Sequence, residues 1–436
     1  MLNASKLKTV AFHTLGCKLN FAETGMLAKQ LNSELFSIAS FDKYSDIYVI
    51  NTCSVTENAD KECKKLVRRC LQQNSNAQVV IVGCYAQLKP QEIAQIPGVR
   101  AVLGAADKFR LGEVLAELSL NTEVIVKTCD IETLDQYSAS VSFGDRTRAY
   151  LKIQDGCDYN CSFCTIPLAR GHSRSDTIQN VVTQAKELLH SGAQEIILTG
   201  VNVGDFGRKN QESFFLLLQR LSDLPIPRIR ISSVEPNLLT TEIIDFVAAQ
   251  QNVMPHFHIP LQSGNDAILA LMRRRYKRKL YADKVLEIRQ KLPDAAIGVD
   301  VIVGFPGETD EFFLETREFI QTLPVSYLHI FTYSERDNTV ATNLGKTVSK
   351  SIRNQRNAQL RLLSEMKTRD FYRQFHDTIR PVLWEIPLAD NLQTGLTDNY
   401  IRVIKHSSNA QAGTITSEKL IWQETENYHK LRLTAI

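Results

Sequence analysis

The 436-residue chain reads as an α/β protein in three parts: an amino-terminal parallel sheet, a partial barrel of six βα units, and a small all-β barrel at the carboxyl end. Three observations predict this order. Short β-branched runs alternate with helix-length stretches over residues 9–118 and again over residues 148–323, as parallel strands and their crossover helices do. Beyond Pro381 only short strand-like runs remain. The length also exceeds one ordinary core and calls for two or three domains.

Hydrophobic residues make up 43% and charged residues 23% of the chain, the balance of a soluble globular protein. The opening Met1–Lys8 lacks an apolar signal core, and no apolar run approaches membrane-spanning length, so a cytoplasmic protein without membrane contact is expected. Nine cysteines, an odd number, argue in that compartment for metal or redox work rather than a disulfide framework. The net charge of +3 says little about nucleic acid, yet nine basic residues stand against two acidic ones between Met272 and Lys291. Such a run attracts phosphate or forms a solvated helix surface.

The first domain is expected over residues 1–120, a Rossmann-like sheet with strands Thr9–Thr14, Ile47–Asn51 and Gln78–Gly83 and helices Ala22–Leu31, Asn58–Gln73 and Lys108–Leu118. Cys17, Cys53 and Cys84 each follow a strand's carboxyl end, where the loops of an open α/β sheet converge on one crevice. Gly16 and Gly83, directly before two of them, permit tight turns. One such cysteine would be a buried small residue; three at equivalent positions favour a cysteine-ligated site. Cys63 and Cys70, seven apart on one helix, and Cys129, in a connection expected over residues 121–145, have no evident partner.

The second domain is expected over residues 146–370. Its strands are Arg148–Ile153, Glu195–Thr199, Arg228–Ser232, His256–Pro260, Ile297–Val303 and Ser326–Phe331. The helices between them are Thr177–His190, Ser213–Ser222, Thr240–Gln250, Asp266–Met272 continuing through Leu280–Lys291, and Asp310–Leu323. Directly after the first strand, in a polar turn, come Cys157, Cys161 and Cys164, spaced C-x3-C-x2-C. Thiolates bind soft iron, and three of them on a four-iron cube leave one iron open to a small molecule. The alternative is a zinc knuckle borrowing a distant fourth ligand. Polar and glycine-rich loops follow the next strands, Gly200–Gly204, Ser233–Pro236, Leu261–Gly264 and Gly304–Glu308, at the end of a barrel where chemistry is done.

Leu344–Arg380 reads as a long basic helix bracing the barrel and broken by Pro381. The third domain, residues 371–436, carries short strands at Pro381–Ile386, Tyr400–Lys405, Gly413–Ser417 and Lys430–Leu433, a compact barrel of a kind that binds RNA. Trp384, Tyr400, Arg402 and Lys405 are expected to be exposed, to stack on bases or meet phosphates, unless they fill the barrel.

The C-x3-C-x2-C motif with Phe163 before its last cysteine resembles the radical S-adenosylmethionine signature, and both cysteine sets in this order resemble the radical S-adenosylmethionine methylthiotransferases over nearly the whole chain. The motifs Thr14–Asn20, Asn51–Thr56, Gly83–Gln87 and His258–Gly264 look most like the branch acting on N6-threonylcarbamoyladenosine in tRNA. The isopentenyladenosine branch has glutamine and methionine where Lys18 and Leu19 stand, and the branch acting on a ribosomal-protein aspartate has proline at the place of Lys18. Leu168 departs from the aromatic that relatives place there.

The resemblance implies two 4Fe-4S clusters and S-adenosylmethionine as cofactors. Cys157, Cys161 and Cys164 would hold the cluster that cleaves S-adenosylmethionine to a 5′-deoxyadenosyl radical. Cys17, Cys53 and Cys84 would hold an auxiliary cluster carrying the donated sulfur. Phe163, Gly200, Ser233 and Glu235 would line the cofactor pocket, and the carboxyl-terminal domain would be of the TRAM type. The implied partners are the tRNA anticodon stem-loop, with its target base extruded, and a reductant such as a flavodoxin or ferredoxin; the oligomeric state is left open, with a monomer favoured. The competing readings are the same chemistry on isopentenyladenosine or on a ribosomal-protein aspartate, and a non-catalytic iron-sulfur or zinc RNA-binding protein.

Overall fold

The structure, a computed structural model, describes residues 7–53, 57–118, 122–142, 147–387, 392–406, 411–422 and 433–435. The opening residues 1–6, Ser54–Thr56 of the Cys53 motif and Lys430 of the last expected strand lie outside them.

Six strands form the first sheet: β1 (Lys8–Thr14), β2 (Phe36–Ala39), β3 (Ile47–Thr52), β4 (Gln78–Gly83), β5 (Val99–Leu103) and β6 (Ile125–Lys127). They pair in parallel in the order β2-β1-β3-β4-β5-β6. β3 and β4 are apolar and buried along nearly their whole length, as central strands covered on both faces must be. α2 (Glu57–Gln73) packs on one face, where Cys63 and Cys70 are wholly buried in apolar surroundings that push both thiols up to about 12. α1 (Lys18–Lys29) and α5 (Leu111–Glu117) cover the other, while α3 (Cys84–Leu88) and α4 (Pro90–Ala94) continue from β4. β2, β5 and β6 are not among the strands the sequence predicts. The two edge strands are short and only partly buried, so they lack an apolar run, and β6 extends the sheet into the stretch expected as a connection.

A short antiparallel strand, β7 (Val141–Ser142), leads to β8 (Arg148–Lys152), and a two-residue ribbon joins β9 (Gln154–Asp155) to β10 (Arg174–Ser175). The parallel series continues with β11 (Glu195–Thr199), β12 (Arg228–Ile231), β13 (His256–His258), β14 (Ala296–Val303) and β15 (Tyr327–Thr332). Isolated bridges Ile229–Val253 and Ser233–His258 join its two halves into one open barrel. α6 (Ile166–Arg170), α7 (Ile178–His190), α8 (Phe214–Ser222), α9 (Thr241–Ala249), α10 (Asp266–Leu271), α11 (Arg278–Lys291) and α12 (Asp310–Thr322) follow the strands in turn.

Alternation along these strands is inverted relative to a packed barrel, whose interior is filled with branched aliphatics. Ala149, Leu151, Ile196, Leu198, Ile229, Ile231, Val299 and Val301 point outward into the core shared with the helices. Their alternates, among them Arg148, Glu195, Arg230, His256, His258, Asp300 and His329, therefore face a polar chamber. α1 closes the chamber's open side: the Phe21 ring lies 6.1 Å from Tyr150, and Ala22 packs with Tyr150 and Ile197. The opposite edge strand, β15, has no second strand partner among the described residues and leaves His329 and Phe331 exposed.

The expected continuous helix from Asp266 is broken. α10 ends at Leu271, and Arg273 takes a left-handed φ of 57°. Ser162 accounts for the break: its backbone N–H donates to the Met272 carbonyl at 3.1 Å and its hydroxyl to the Leu271 carbonyl at 2.7 Å. The long basic helix also shortens, to α13 (Lys350–Arg373), because Ser349 caps it by accepting from the Ile352 N–H. Pro381 is no breaker; it lies inside β16 (Ile379–Trp384), opposite Ser417.

β16 closes a five-stranded barrel with β17 (Leu392–Thr397), β18 (Arg402–His406), β19 (Ile415–Ile421) and β20 (Leu433–Ala435). Trp384 is buried in it, and Tyr400 packs against His256 with ring centroids 4.4 Å apart, so neither is the exposed stacking platform expected. Lys405 pairs with Glu418 at 3.1 Å, and only Arg402 of the four is exposed. The small barrel plugs the floor of the large one. Arg228 donates to the carbonyls of Leu396 and Pro381, Arg230 to that of Asp398, and Asn399 to that of Asp294.

At that floor Arg230 grips Glu195 with two hydrogen bonds of 2.9 Å, both side chains being fully buried. Burial alone would raise the Glu195 carboxyl, but Arg230, Arg148 and Arg228 hold it at about 2, below its ordinary 4.5. A depressed carboxylate contributes stability above its unfolded value and loses it as pH falls through the folded one. Urea unfolding of the wild type should therefore weaken between pH about 4.5 and about 2 more steeply than that of Glu195→Gln, which has no carboxylate to protonate.

Candidate active site

The first cysteine set is assembled by sheet order. β1, β3 and β4 are neighbours, and Cys17, Cys53 and Cys84 follow their carboxyl ends. Gly16 and Gly83 have φ of +107° and +100°, backbone that only glycine adopts without strain. A Cβ on Gly16 would stand 2.6 Å from the Cβ of Cys53, so the Cys17 turn lies directly on Cys53. α3, which begins at Cys84, packs on α6, which begins two residues after Cys164. The two cysteine sets are thus tied across one domain joint.

That joint contains a buried ion network. Glu23 of α1 meets Lys108 at 2.7 Å, Lys152 at 3.1 Å and Arg170 at 2.9 Å. Asp155 meets Lys152 at 2.7 Å, Arg170 at 2.9 Å and Arg174 at 3.4 Å. Four cations face two carboxylates. The surplus of positive charge beside Cys84 suits an anionic, thiolate-ligated centre, the counter-charge a buried excess of this kind requires.

Around the second set, amides and a guanidinium aim at sulfur. The N–H groups of Tyr159 and Ile166 donate to Cys157 Sγ and Cys164 Sγ, each at 3.4 Å, and Arg274 Nη1 donates to Cys161 Sγ at 3.1 Å. Burial pushes the Cys157 and Cys164 thiols up to about 12 and raises Cys161 as well, so metal binding must displace their protons. Arg274 also forms an ion pair with Glu235 through Nη2. Through Arg274, Glu235 is linked to Cys161. In the sequence Arg274 stands only within a basic run expected to attract phosphate or to form a solvated helix surface. Its neighbour Arg275 stacks 3.8 Å above the Tyr159 ring and donates to the Asp158 carbonyl.

Phe163 lines an apolar slot of about 200 Å³ together with Cys164, Gln262, Asp300, Ile302 and Tyr333. Gln262 is held in a left-handed conformation, φ 65°, strain of the sort that persists where a side chain is aimed at a ligand. Gly200 lies at the end of β11, where a Cβ would come 2.9 Å from Gln154 Oε1, the acceptor for the Val201 and Asn202 amides. Ser233 Oγ lies 2.6 Å from His258 Nδ1, and His258 Nε2 lies 2.8 Å from Asp300 Oδ1. His258, Asp300 and His329 bring their donor atoms within 4.8 Å of one another; both His258 nitrogens are already in hydrogen bonds, to Ser233 and Asp300, which argues against a metal centre.

Of the buried polar atoms without hydrogen-bond partners among the described residues, Thr199 Oγ1, Asn202 Nδ2, Ser232 Oγ, Gln262 Oε1 and Tyr333 OH lie at the carboxyl ends of barrel strands, while others, such as Arg369 Nε and Trp422 Nε1, lie elsewhere. Buried polar atoms are almost always satisfied. These orphans beside an apolar slot and three thiols fit a ligand with both an apolar and a polar part.

Residues 9–104 match the Uncharacterized protein family UPF0004, and residues 151–320 the Radical SAM superfamily. The chain is 37% identical over 426 residues to the threonylcarbamoyladenosine tRNA methylthiotransferase MtaB of Bacillus subtilis (strain 168), covering 95% of this chain and 94% of the relative. To MtaB of Rickettsia prowazekii (strain Madrid E) it is 32% identical over 423 residues, 96% of each. To the ribosomal protein uS12 methylthiotransferase RimO of Prochlorococcus marinus (strain MIT 9301) it is 33% identical over 353 residues, 80% of this chain and 77% of that one. The solved radical S-adenosylmethionine methyltransferase TsrM from Kitasatospora setae, with cobalamin and a 4Fe-4S cluster bound, shares the fold, with a TM-score of 0.53 and 14% identity over 75% of each chain. No helix among the described residues is long and apolar enough to cross a membrane. With a cysteine set at each side of the domain joint and such identity along nearly its whole length, the chain belongs to the methylthiotransferase family of radical S-adenosylmethionine enzymes.

Proposed function

We propose that this chain replaces the hydrogen on carbon-2 of N6-threonylcarbamoyladenosine in tRNA, beside the anticodon, with a methylthio group. The observation that carries the substrate choice is the polar chamber. Arg148, His258, Asp300 and His329 suit a hydroxylated, anionic N6 substituent, whereas an isopentenyl tail would strand these groups against hydrocarbon. The MtaB relatives carry the same activity in their names.

Membership of the radical S-adenosylmethionine superfamily brings S-adenosylmethionine and one 4Fe-4S cluster, which we assign to Cys157, Cys161 and Cys164. When bound, this pair supplies the one-electron chemistry that breaks a carbon–hydrogen bond with no acidic proton. The protein's own part is positioning. Phe163 walls the slot for an adenine, Arg274 fixes Glu235 and hydrogen-bonds Cys161, and the orphaned Thr199, Asn202 and Ser232 await the amino-acid end. We assign a second cluster to Cys17, Cys53 and Cys84, with Arg170, Lys108 and Lys152 offsetting its charge.

The target base must leave the anticodon stack to reach the chamber. A groove of about 790 Å³ along the open β15 edge, lined by Lys61, Lys350 and Arg361 among others, gives it a route. Arg402 on the carboxyl-terminal barrel and Lys277 beside the cluster loop are exposed cations for the RNA backbone. A flavodoxin or ferredoxin as reductant, a cytoplasmic location alongside tRNA, and action as a monomer complete the proposal.

Mass spectrometry of tRNA nucleosides tests the reading. In cells lacking the gene the methylthio form of N6-threonylcarbamoyladenosine should vanish and its precursor accumulate, with recovery on complementation. Loss of the isopentenyladenosine product instead would overturn it. Arg274→Met should retain iron yet raise the KM for S-adenosylmethionine cleavage at least about tenfold, because it frees a buried carboxylate and removes a charged donor.

A further inference from the structure

We infer that Lys18 binds the free carboxylate of the threonylcarbamoyl group and so decides the substrate; this rests on the function proposed above. Lys18 opens α1 and shares a helix face with Phe21 and Ala22, three and four residues on. Phe21 and Ala22 pack against Tyr150 and Ile197, which point into the chamber. Side chains tilt toward the start of their helix, so Lys18 reaches the same chamber one turn earlier.

Its electrostatic neighbours there are Tyr400, Arg148, Arg230, Glu195, Asp300 and His329. Both carboxylates are already committed. Glu195 is held by two hydrogen bonds from Arg230 at 2.9 Å, and Asp300 lies 2.8 Å from His258. Among the described residues the Lys18 ammonium makes no hydrogen bond and no ion pair, though the side chain is partly buried. A cation withdrawn from water and set among arginines and histidines, without an anion of its own, is costly to the protein alone. An anionic ligand reverses that cost.

The substrate's geometry agrees. In a threonylcarbamoyl adenine the second urea N–H folds back onto ring N1, which is bonded to carbon-2. The carboxylate and the reacting carbon then share one edge of the base. Lys18 and Cys17 are adjacent in the chain, so one turn of protein offers an anion partner and a sulfur-bearing centre to that single edge. An isopentenyl group gives Lys18 nothing to bind.

The test uses reconstituted enzyme and three anticodon stem-loop RNAs, carrying N6-threonylcarbamoyladenosine, its carboxylate methyl ester, or isopentenyladenosine. Dissociation constants come from fluorescence anisotropy, kcat/KM from product mass, and iron content confirms equal cluster loading. The wild type should prefer acid over ester by about ten- to a hundredfold, the range of a charged hydrogen bond. Lys18→Ala should bring that ratio close to one, and Lys18→Arg should keep most of it. An unchanged ratio in Lys18→Ala, or no preference in the wild type, overturns the inference alone. A wild type that turns over only the isopentenyl RNA overturns the functional reading and this inference together.

Discussion

Glu23 holds this molecule together at its most demanding place. It leaves the first domain on α1 and is met by Lys108 of its own domain and by Lys152 and Arg170 of the barrel, all of them buried. Networks of this kind add little net stability over an apolar packing of equal volume, while removing one member costs about 3–5 kcal/mol. Their worth is positional. With Glu23 fixed, α1 is set at one depth in the barrel's open side, α3 rests on α6, and the cysteines that follow β1, β3 and β4 are aligned with those of the barrel loop. A greasy interface would leave that alignment free to slide.

The same joint explains why the barrel interior is polar. A closed barrel of parallel strands fills its middle with aliphatic layers. Here six parallel strands leave a gap, α1 fills part of it, and the carboxyl-terminal barrel stoppers the floor through Arg228, Arg230 and Asn399. The space between is lined by polar side chains and meets bulk water along the β15 edge, where His329 and Phe331 are exposed. Charges inside it act at longer range than at the surface, which is why the substrate reading proposed above rests on Arg148, His258 and Lys18. The open β15 edge is the side from which a base extruded from RNA can arrive.

Much of this was legible in the sequence, for physical reasons. Strand-end placement exposed Cys17, Cys53 and Cys84, because a parallel sheet gathers its carboxyl-end loops whatever lies between them. The C-x3-C-x2-C spacing exposed the second set, and Phe163 and Glu235 lie beside it. Arg274 was lost in a basic run, since charge patterning cannot tell a guanidinium turned inward to Cys161 from Arg273, which stays outside. The helix break at Met272 depends on Ser162, more than a hundred residues earlier, and no local propensity encodes it. Trp384 looked like a surface aromatic because a short barrel strand carries too few residues to show which face is in; Tyr400 lies in the turn before β18 and is aimed at His256 by a docking contact between domains. β2 and β6, edge strands of four and three residues, lie below what alternation can reveal.

The claim on which the rest turns is that two cysteine sets on either side of one ion-paired joint hold two clusters. Iron and sulfide content of anaerobically reconstituted protein tests it most directly, wild type beside the Cys17→Ala, Cys53→Ala, Cys84→Ala triple variant. About eight irons falling to about four, with S-adenosylmethionine cleavage retained by the variant, is the expected result if each set carries one cube. About four irons in both proteins would contradict the account and leave the strand-end cysteines as packing residues.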